Sequence, residues 1–315
     1  QMLDQVLKVF DIKPDFDLNL MTENQTLEQL TAKILNQISD VLTKTKPDFI
    51  FVQGDTTTTF SASLAAFYQR VPVVHIEAGL RTKNIYSPFP EEINRRITTS
   101  IAKFHFPPTN ESRKNLLREG ISANAIKVSG NTVIDALFYA SKKVDQEINF
   151  YEKEFFKKYN INFSEKKTIL ITGHRRESFG KGFENICNSI LKISKNKKIQ
   201  IIYPVHLNPN VQKPVNRILK GYNNIYLIEP QDYLPFIFLM KSSYIILTDS
   251  GGVQEEGPSL AKPVLVMRDN TERPEGVKAG TAKLVGTNAD SITSAVDLLL
   301  NNKDEYKKMA NKVNP

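Results

Sequence analysis

Three potential cations, His174, Arg175 and Arg176, follow directly after the apolar run "TILITG". Short apolar runs rich in β-branched residues are typical of buried strands. Cations at the end of such a strand are costly unless an anionic group meets them. Phosphate suits this cluster best, because arginine can bind two of its oxygens at once. The motif "TGHRRESFG" therefore predicts a phosphate-binding site.

A second candidate phosphate site lies in "TDSGGVQEE", where Ser250, Gly251 and Gly252 open a predicted helix. The backbone N–H groups and the serine hydroxyl of such a turn can cradle an anion. Glu255 and Glu256 follow in the early turns of that helix. Carboxylates beside a phosphate are unfavourable, so we interpret this pair as acceptors for the hydroxyl groups of a ribose.

Acidic residues form the other candidate site. Asp55 lies between a turn glycine and four threonines, where a helix N-cap or a turn would also explain it. Glu77 ends the strand-like run "VPVVHI", and a surface ion pair with Arg81 is the alternative. Glu91 begins a helix after two prolines, an ordinary position for an acidic residue. His206 also ends a strand, where a lone histidine is more often structural than catalytic.

The elements that must position these residues alternate between strands and helices. Near-continuous apolar strands separated by helices predict parallel sheets covered on both faces. We therefore expect an α/β fold with two doubly wound domains, at 1–132 and 133–315, the second including a linker at 133–166. Ligands bind at the carboxyl ends of such strands, where every candidate residue falls. The predicted strands are 48–54, 71–77, 103–109, 125–131, 168–173, 199–206, 225–230, 244–252 and 262–268.

Composition narrows the function classes. The chain has 315 residues and a net charge of +8, but its lysines are scattered among acidic residues, so no nucleic-acid partner is expected. No apolar run approaches the roughly 18 residues of a membrane span. The single cysteine, Cys187, excludes an intramolecular disulfide. Metal-ligand spacings, a G-x-x-x-x-G-K-[ST] loop and a G-x-G-x-x-G turn are lacking, so no metal, nicotinamide or flavin is expected. These features favour the cytoplasm.

Taken together, the motifs resemble those of the bacterial non-hydrolysing UDP-N-acetylglucosamine 2-epimerases, and the resemblance extends through essentially all 315 residues. It implies two Rossmann-like domains in the GT-B arrangement, with the active site in the cleft between them. It also implies reversible conversion of UDP-N-acetylglucosamine to UDP-N-acetylmannosamine for cell-surface polysaccharide precursors, by anti elimination of UDP to 2-acetamidoglucal and re-addition. The segments that carry the resemblance are "GDTTTTFSASLAAFYQRVPVVHIEAGLRT", "YSPFPEEINRR", "TGHRRESFG", "DSGGVQEEGPSLAKPVLVMRDNTERPE" and "VGTN".

The resemblance also implies a role for each candidate residue. Asp55, Glu77 and Glu91 become the acid and base candidates, without a distinction between them. His174 is a further catalytic candidate that faces the diphosphate with Arg175. The residues implied to bind the substrate elsewhere are Ser250, Gly251 and Gly252 at phosphate, Glu256 at the ribose, Arg273 as added positive charge, and Gln231 and Phe236 near the uridine.

The partners implied by the resemblance are small molecules and a second copy of the chain. We expect no cofactor, a homodimer, and UDP-N-acetylglucosamine as both substrate and allosteric activator. Glu91, Arg175 and His206 match positions of the activating site. Family members also begin with a strand, a loop similar to G-T-R-P-E and a lysine on the next helix, and they close with a helix that crosses back. The present sequence lacks these segments, so we expect it to be less active than a longer form.

Three other functions are compatible with some of the motifs. A GT-B glycosyltransferase would use the same UDP-sugar, but it needs an acceptor site in place of the acidic residues. A hydrolysing epimerase would release UDP irreversibly. A catalytically silent sensor would bind the UDP-sugar without exchanging its C2 proton. The identity of the 2-acetamido sugar is left open, because related enzymes act on sugars modified at C3 or C6.

Overall fold

The computed structural model describes residues 2–22 and 24–312, without the side chains of residues 2, 3 and 176. These residues form two compact units. The first unit comprises residues 13–131, and the second comprises residues 2–12 together with 132–312. Within the described ranges, no helix is both long enough and apolar enough to cross a membrane.

Strands and helices alternate along most of the chain, as the sequence predicts. The strands are β1 (Ile50–Gln53), β2 (Val73–Ile76), β3 (Phe104–Phe106), β4 (Lys167–Thr172), β5 (Ile199–Pro204), β6 (Ile225–Ile228), β7 (Ile245–Thr248), β8 (Val264–Val266) and β9 (Ala282–Leu284). The helices are α1 (Met2–Val9), α2 (Leu27–Thr45), α3 (Thr57–Tyr68), α4 (Glu91–Ile101), α5 (Asn110–Arg118), α6 (Thr132–Gln146), α7 (Ile148–Tyr159), α8 (Lys181–Ile193), α9 (Pro209–Leu219), α10 (Tyr233–Ser242), α11 (Val253–Ser259), α12 (Pro274–Ala279), α13 (Ala289–Asn301) and α14 (Lys303–Ala310).

The first unit is built on a parallel sheet with the strand order β1-β2-β3. Val52 of β1 pairs with His75 of β2, and His75 pairs with His105 of β3. This register places the residues that follow β1 and β2 at the same edge of the sheet. The expected strand at 125–131 was wrong. The chain there follows a short 3-10 helix (Ala123–Ala125) and makes a single bridge, from Ile126 to His105, although the N–H groups of Lys127 and Ser129 still donate to the carbonyls of His105 and Pro107.

Two of the four threonines after β1, Thr56 and Thr59, join the start of α3 to the end of that strand. Thr56 is the N-cap of α3, and its hydroxyl accepts a hydrogen bond from the backbone N–H of Thr59 at 3.2 Å. The Thr59 hydroxyl donates to the carbonyl of Gln53, the last residue of β1, at 2.6 Å. Gly54 and Asp55 are thereby confined to a tight turn between the strand and the cap.

The second unit contains a parallel sheet with the strand order β6-β5-β4-β7-β8-β9. The order reverses between β4 and β7, which are neighbours although β5 and β6 separate them in sequence. Such a reversal opens a crevice at the carboxyl ends of the two central strands, where doubly wound sheets bind ligands. The segments after β4 and β7 are the motifs "GHRRES" and "DSGG".

Both faces of this sheet are covered. Ile169 and Ile171 of β4 pack with Phe183 of α8 in one buried cluster, and Leu170 packs with Phe238 of α10 in another. All five side chains have 0% exposure. Burial of each side chain of this size contributes about 1.5–3 kcal/mol to the stability of the fold. Because the interior is close-packed, the ends of β4 and β7 are held rigidly. The α/β class with two units, each built on a parallel sheet, is confirmed.

The N-terminal helix departs from the expected domain division. The sequence assigned residues 1–132 to the first domain, whereas α1 packs on α10 and belongs to the second unit. Phe10 stacks on Tyr139 with a centroid separation of 5.3 Å, and the Lys143 ammonium donates to the Val9 carbonyl at 2.7 Å. The aromatic packing of Phe10 is the physical reason for this placement. Its partners on α6 and α10 lie more than a hundred residues away in sequence, so no local pattern near residue 10 predicts the contact.

Candidate active site

Asp55 is held from the neighbouring helix α4. Its Oδ2 atom accepts a hydrogen bond from Arg95 Nη2 at 2.5 Å, and its backbone carbonyl accepts one from the Asn94 side-chain amide at 3.0 Å. The Asp55 side chain is 25% exposed, whereas that of Arg95 is only 4% exposed. Gly54 has a φ of +72°, which allows the sharp turn that presents Asp55. One carboxylate is therefore oriented by a buried cation while remaining open to solvent.

Arg95 is in turn anchored by Glu92, which sequence analysis did not identify as a site residue. The Glu92 side chain has 0% exposure, and its carboxylate accepts hydrogen bonds from Arg95 Nη1 and Arg96 Nε, both at 3.2 Å. It also accepts the backbone N–H of Thr82 at 3.1 Å. The spacing of the acidic and basic residues in "EEINRR" indicated helical ion pairs but not which glutamate is buried.

Glu77 lies against the same turn. A Cβ atom placed on Gly54 would lie 3.3 Å from Glu77 Oε2, so the carboxylate and the turn are in close contact. Asn131 donates a side-chain amide hydrogen bond to Glu77 Oε1 at 3.3 Å. Glu77 has a φ of +61°, a strained conformation for a non-glycine residue that occurs disproportionately at functional sites. The alternative ion pair with Arg81 does not form, because Arg81 binds the Glu119 carboxylate with both Nε and Nη2.

Glu91 is the first residue of α4 and lies one helical turn before Arg95. Its Oε2 atom is buried and has no hydrogen-bond partner among the described residues. Asp55 and Glu77 lie together at the Gly54 turn. Among the described residues, Glu91 is connected to that turn through α4.

His75 supports the turn from below, and sequence reasoning missed it. It lies in the middle of β2 with 0% exposure, and its Nε2 atom is 2.8 Å from the carbonyl oxygen of Gly54. Burial lowers the pKa of His75 to about 4, although the hydrogen bond to Gly54 acts in the opposite direction. The ring is therefore neutral near pH 7, and Nε2 carries the proton because a carbonyl can only accept. A histidine inside an apolar strand was the available signal.

In the second unit, His174 and Arg175 occupy the turn after β4. Their backbone N–H groups both donate to Oδ2 of Asp249, at 2.7 and 2.8 Å. The His174 ring stacks on the ring of His206 with a centroid separation of 5.3 Å and an interplanar angle of 15°. Burial lowers the pKa of His174, although the Asp249 carboxylate acts to raise it. The structure thus places the His174 ring, in the residue before Arg175, against the ring of His206.

Ser250, Gly251 and Gly252 form the turn between β7 and α11. The Ser250 N–H donates to the hydroxyl of Thr248 at 2.9 Å, so this donor is used within the protein. A Cβ atom on Gly251 would lie 2.6 Å from Arg273 Nη1 and 2.7 Å from Glu272 Oε1, so the ends of these two paired side chains would have to shift to admit it. The turn is therefore packed directly against the expected basic residue.

Arg273 is paired with acidic side chains. Its Nη1 atom donates to Glu272 Oε1 at 2.8 Å, and its Nε atom donates to the Glu255 carboxylate. Burial acts to raise the pKa of Glu272, but Arg273 and Arg268 outweigh it and lower that pKa to about 2. Much of the positive charge that the sequence suggested at Arg273 is consequently offset by its neighbours.

Glu256 is a buried carboxyl group on α11 with 8% exposure. Burial raises its pKa to about 7, and the nearby Glu255 carboxylate adds to the rise while Arg273 opposes it. Burial accompanied by a specific charge effect is characteristic of functional sites. The group therefore changes its ionisation near neutral pH.

Gln231 and Phe236 lie at and after the end of β6. The Gln231 amide donates to the carbonyl of Glu229 at 2.7 Å and to the Tyr159 hydroxyl at 3.4 Å. Phe236 lies on α10 and packs partly buried against the apolar cluster beneath it. Within the described residues, no group of three or more potential metal ligands converges.

Comparison with known proteins places this arrangement in a family. The family model described as UDP-N-acetylglucosamine 2-epimerase matches residues 1–315. The chain belongs to the UDP-N-acetylglucosamine 2-epimerase family. An epimerase is an isomerase, so the protein is an isomerase, and the resemblance inferred from the motifs is confirmed.

Individual relatives in the epimerase family are close. The UDP-N-acetylglucosamine 2-epimerase of Yersinia pestis is 57% identical over 320 residues, covering 100% of this chain and 84% of that protein. The crystal structure of the Neisseria meningitidis UDP-GlcNAc 2-epimerase bound to UDP-GlcNAc is 53% identical, with a TM-score of 0.94 over 100% of this chain and 84% of that one. The S. aureus MnaA–UDP structure is 44% identical, with a TM-score of 0.91, and is matched over 82% of its length by 100% of this chain.

Proposed function

We propose that the protein interconverts UDP-N-acetylglucosamine and UDP-N-acetylmannosamine by inverting C2, and so supplies precursors of cell-surface polysaccharides. The observation that carries this proposal is the match of the epimerase family model to residues 1–315. The Neisseria meningitidis relative, at 53% identity, has UDP-GlcNAc bound. The carboxylates at the Gly54 turn and the anion-binding motifs of the second unit are the groups that such a reaction requires.

The proposed reaction is an elimination followed by a re-addition. A carboxylate removes the proton from C2, its electron pair forms the C1–C2 double bond, and the C1–O bond to UDP breaks. The products of this step are 2-acetamidoglucal and UDP. A second acidic group then delivers a proton to the opposite face of C2 while UDP re-forms its bond to C1. Asp55, Glu77 and Glu91 are the candidate acid and base.

The two units take different parts of the substrate in this proposal. The second unit binds UDP, with His174 and Arg175 at the diphosphate and the Ser250–Gly252 turn beside it. Glu256 accepts hydrogen bonds from the ribose, and Gln231 and Phe236 contact the uracil end. Because Arg273 is paired with Glu255 and Glu272, its contribution is to hold the turn as well as to add charge. Departure of UDP is favoured by the cations around its phosphates.

We further propose a cytoplasmic homodimer that needs no cofactor. UDP-N-acetylglucosamine would also act as an activator at a second position that includes Glu91, Arg175 and His206. The exposed ring of His206 supports this assignment, because it leaves a polar atom available for a ligand.

Proton NMR in D2O tests the proposed function. With UDP-N-acetylglucosamine alone, we expect deuterium to replace the C2 proton and the manno isomer to appear. Asp55→Asn should slow this exchange by about 10²-fold or more, as expected when a group that transfers the proton is lost. Asp290→Asn, at a side chain that is 83% exposed on α13, is the matched control and should exchange at the wild-type rate.

Other outcomes identify the alternatives. Retention of the C2 proton in a protein that still binds UDP would refute epimerisation and leave a silent binder. Irreversible accumulation of free UDP would point to a hydrolysing epimerase. Consumption of UDP-N-acetylglucosamine only when an acceptor sugar is added, without exchange of the C2 proton, would point to a glycosyltransferase.

A further inference from the structure

We propose that Asp249 is a positioning residue that holds the proton of the neutral His174 ring on Nδ1, so that Nε2 is the ring atom presented to the diphosphate. This proposal rests on the proposed function, because it assigns a task within the UDP-binding site. Neither the motifs nor the family match singled out Asp249, which sequence analysis treated only as part of the segment before Ser250.

Asp249 lies at the junction of the two central strands of the second unit. It follows Thr248, the last residue of β7, and its backbone N–H donates to the carbonyl of Thr172 on β4 at 3.1 Å. The hydroxyls of Thr172 and Thr248 are 2.5 Å apart in the same register. The Asp249 side chain has 0% exposure. The carboxylate is therefore fixed beneath the turn that carries His174.

One oxygen of this carboxylate organises the backbone of the turn. Asp249 Oδ2 accepts the successive N–H groups of His174 and Arg175 at 2.7 and 2.8 Å. These two donors are consequently used by the protein and are not left for a phosphate. Anion binding by this turn must then depend on the side chains of His174 and Arg175 and not on its backbone.

The other carboxylate oxygen of Asp249, Oδ1, lies near a ring nitrogen of His174. Asp249 Oδ1 is buried, has no hydrogen-bond partner among the described residues, and lies 3.5 Å from His174 Nδ1. A buried carboxylate oxygen needs a donor, and a small rotation of the ring brings Nδ1–H into hydrogen-bond range. The neutral His174 ring is thereby held with its proton on Nδ1, which leaves a lone pair on Nε2. Burial keeps the pKa of His174 below its usual range, in line with a neutral ring in the absence of ligand.

The stacked neighbour has the opposite arrangement. His206 Nδ1 accepts the backbone N–H of Asn208 at 3.1 Å, so the neutral His206 ring carries its proton on Nε2. The two rings stack at 5.3 Å but present different atoms to solvent. In this pair, His206 Nε2–H can donate to a phosphate oxygen directly, whereas His174 Nε2 can do so only after taking up a proton. When Nε2 takes up a proton from water, its N–H can donate to a phosphate oxygen while Nδ1–H faces the Asp249 carboxylate.

The test is the ring tautomer of both histidines, measured by long-range ¹⁵N–¹H NMR at about pH 8, where histidine is neutral. In the wild-type protein we expect Nδ1–H for His174 and Nε2–H for His206. In Asp249→Asn, the amide oxygen can still accept the two backbone N–H groups, but the amide NH2 faces Nδ1 of His174. The His174 proton should therefore move to Nε2, while His206 stays unchanged as an internal control.

Kinetics supply the second readout. Asp249→Asn should lower kcat/KM for C2 exchange by about 10- to 100-fold, the range seen when the carboxylate that orients a metal-binding histidine is lost. In a His174→Asn background, the same substitution should have little further effect, because a residue that acts through His174 is not additive with it. Asp290→Asn is the control and should match the wild type in both tautomers and in kcat/KM.

Two results would overturn the proposal. The first is a wild-type His174 with its proton on Nε2, which needs no variant and applies even if Asp249→Asn fails to fold. The second is a folded Asp249→Asn protein with wild-type kcat/KM, or with a full additional loss in the His174→Asn background. The tautomer measurement needs no turnover, so it tests this inference separately from the epimerase activity.

Discussion

Arg95 donates to Asp55 across 40 positions of sequence at 2.5 Å, and the same guanidinium binds Glu92 one turn earlier on α4. Asp55 is partly open to solvent, whereas Arg95 and Glu92 are almost completely buried. The buried pair therefore serves as the fixed support for an exposed carboxylate. The stability of the first unit and the position of the Asp55 carboxylate therefore depend on the same buried ion pair.

Arg95→Met is expected to destabilise the protein by up to about 3–5 kcal/mol, because it removes one of the two arginines that pair with the buried Glu92 carboxylate. Urea unfolding monitored by circular dichroism measures this loss. Glu92→Gln added to Arg95→Met should restore part of it, since the uncompensated charge is then removed as well. The matched control is Arg118→Met, at a side chain that is 63% exposed. A single Arg95→Met variant with wild-type stability would show that the buried pair is not a support.

Glu256 should make the stability of the protein depend on pH. Burial raises its pKa to about 7 in the folded state, against 4.5 as the reference value. The stability that this group contributes is present below the unfolded-state pKa and is lost as pH rises through about 7. Glu256→Gln does not titrate, so its stability relative to wild type should increase by about 3 kcal/mol from acid to mildly alkaline pH.

Unfolding by urea at a series of pH values measures this difference. Glu152→Gln, at an exposed position of α7, is the control and should follow the wild-type curve. A parallel pH dependence of wild type and Glu256→Gln would contradict the raised pKa. If Glu256 binds the ribose as a carboxylate, the affinity for UDP should also increase as pH rises through 7 in the wild type and remain flat in the variant.

His75 should make the protein less stable as pH falls, whereas Glu256 makes it less stable as pH rises. Burial lowers its pKa to about 4, against 6.5 as the reference value. The stability that depends on its neutral ring is present above the unfolded-state pKa and is lost as pH falls through about 4. His75→Gln can still donate to the Gly54 carbonyl but does not titrate. Its unfolding free energy should therefore decline by about 3 kcal/mol less than that of the wild type over this range.

The unfolding midpoint in urea, followed across the acid range, tests this expectation. His206→Gln replaces an exposed histidine and serves as the control for loss of one imidazole. If the unfolding midpoints of His75→Gln and wild type fall identically at acid pH, His75 does not contribute to the acid sensitivity of the fold.

Gly251→Ala is expected to disturb the turn before α11. The added Cβ would lie 2.6 Å from Arg273 Nη1 and 2.7 Å from Glu272 Oε1, and ion pairs hold both groups in place. Overpacking of this kind costs about 1–3 kcal/mol, and the affinity for UDP, measured by calorimetry, should fall with it. Gly182→Ala is the matched control, because its nearest neighbour is 3.5 Å away and alanine favours the helix there. Equal UDP affinity of Gly251→Ala and Gly182→Ala would show that the turn tolerates a side chain.

The strands, the helices and the motifs at the strand ends could be predicted from the sequence alone, because each depends on a local pattern of residues. Apolar strands alternating with helices determined the parallel sheets, since periodicity and length identify such elements without knowledge of their partners. The carboxyl-end position of "GDTTTT" and "TGHRRESFG" followed from the same pattern, because parallel strands deliver their ends to one edge. Asp55 and Glu77 were accordingly predicted to lie at that edge, and their motifs led to the epimerase family.

Only the tertiary structure decided which groups hold these residues and in what state. Asp249 reaches the N–H of His174 over 75 positions, and Arg95 reaches Asp55 over 40. The raised pKa of Glu256 and the lowered pKa of His75 arise from burial by elements that are distant in sequence. The placement of α1 on α10 has the same origin. Hydrogen bonds, desolvation and packing depend on proximity in space, which local sequence patterns do not encode.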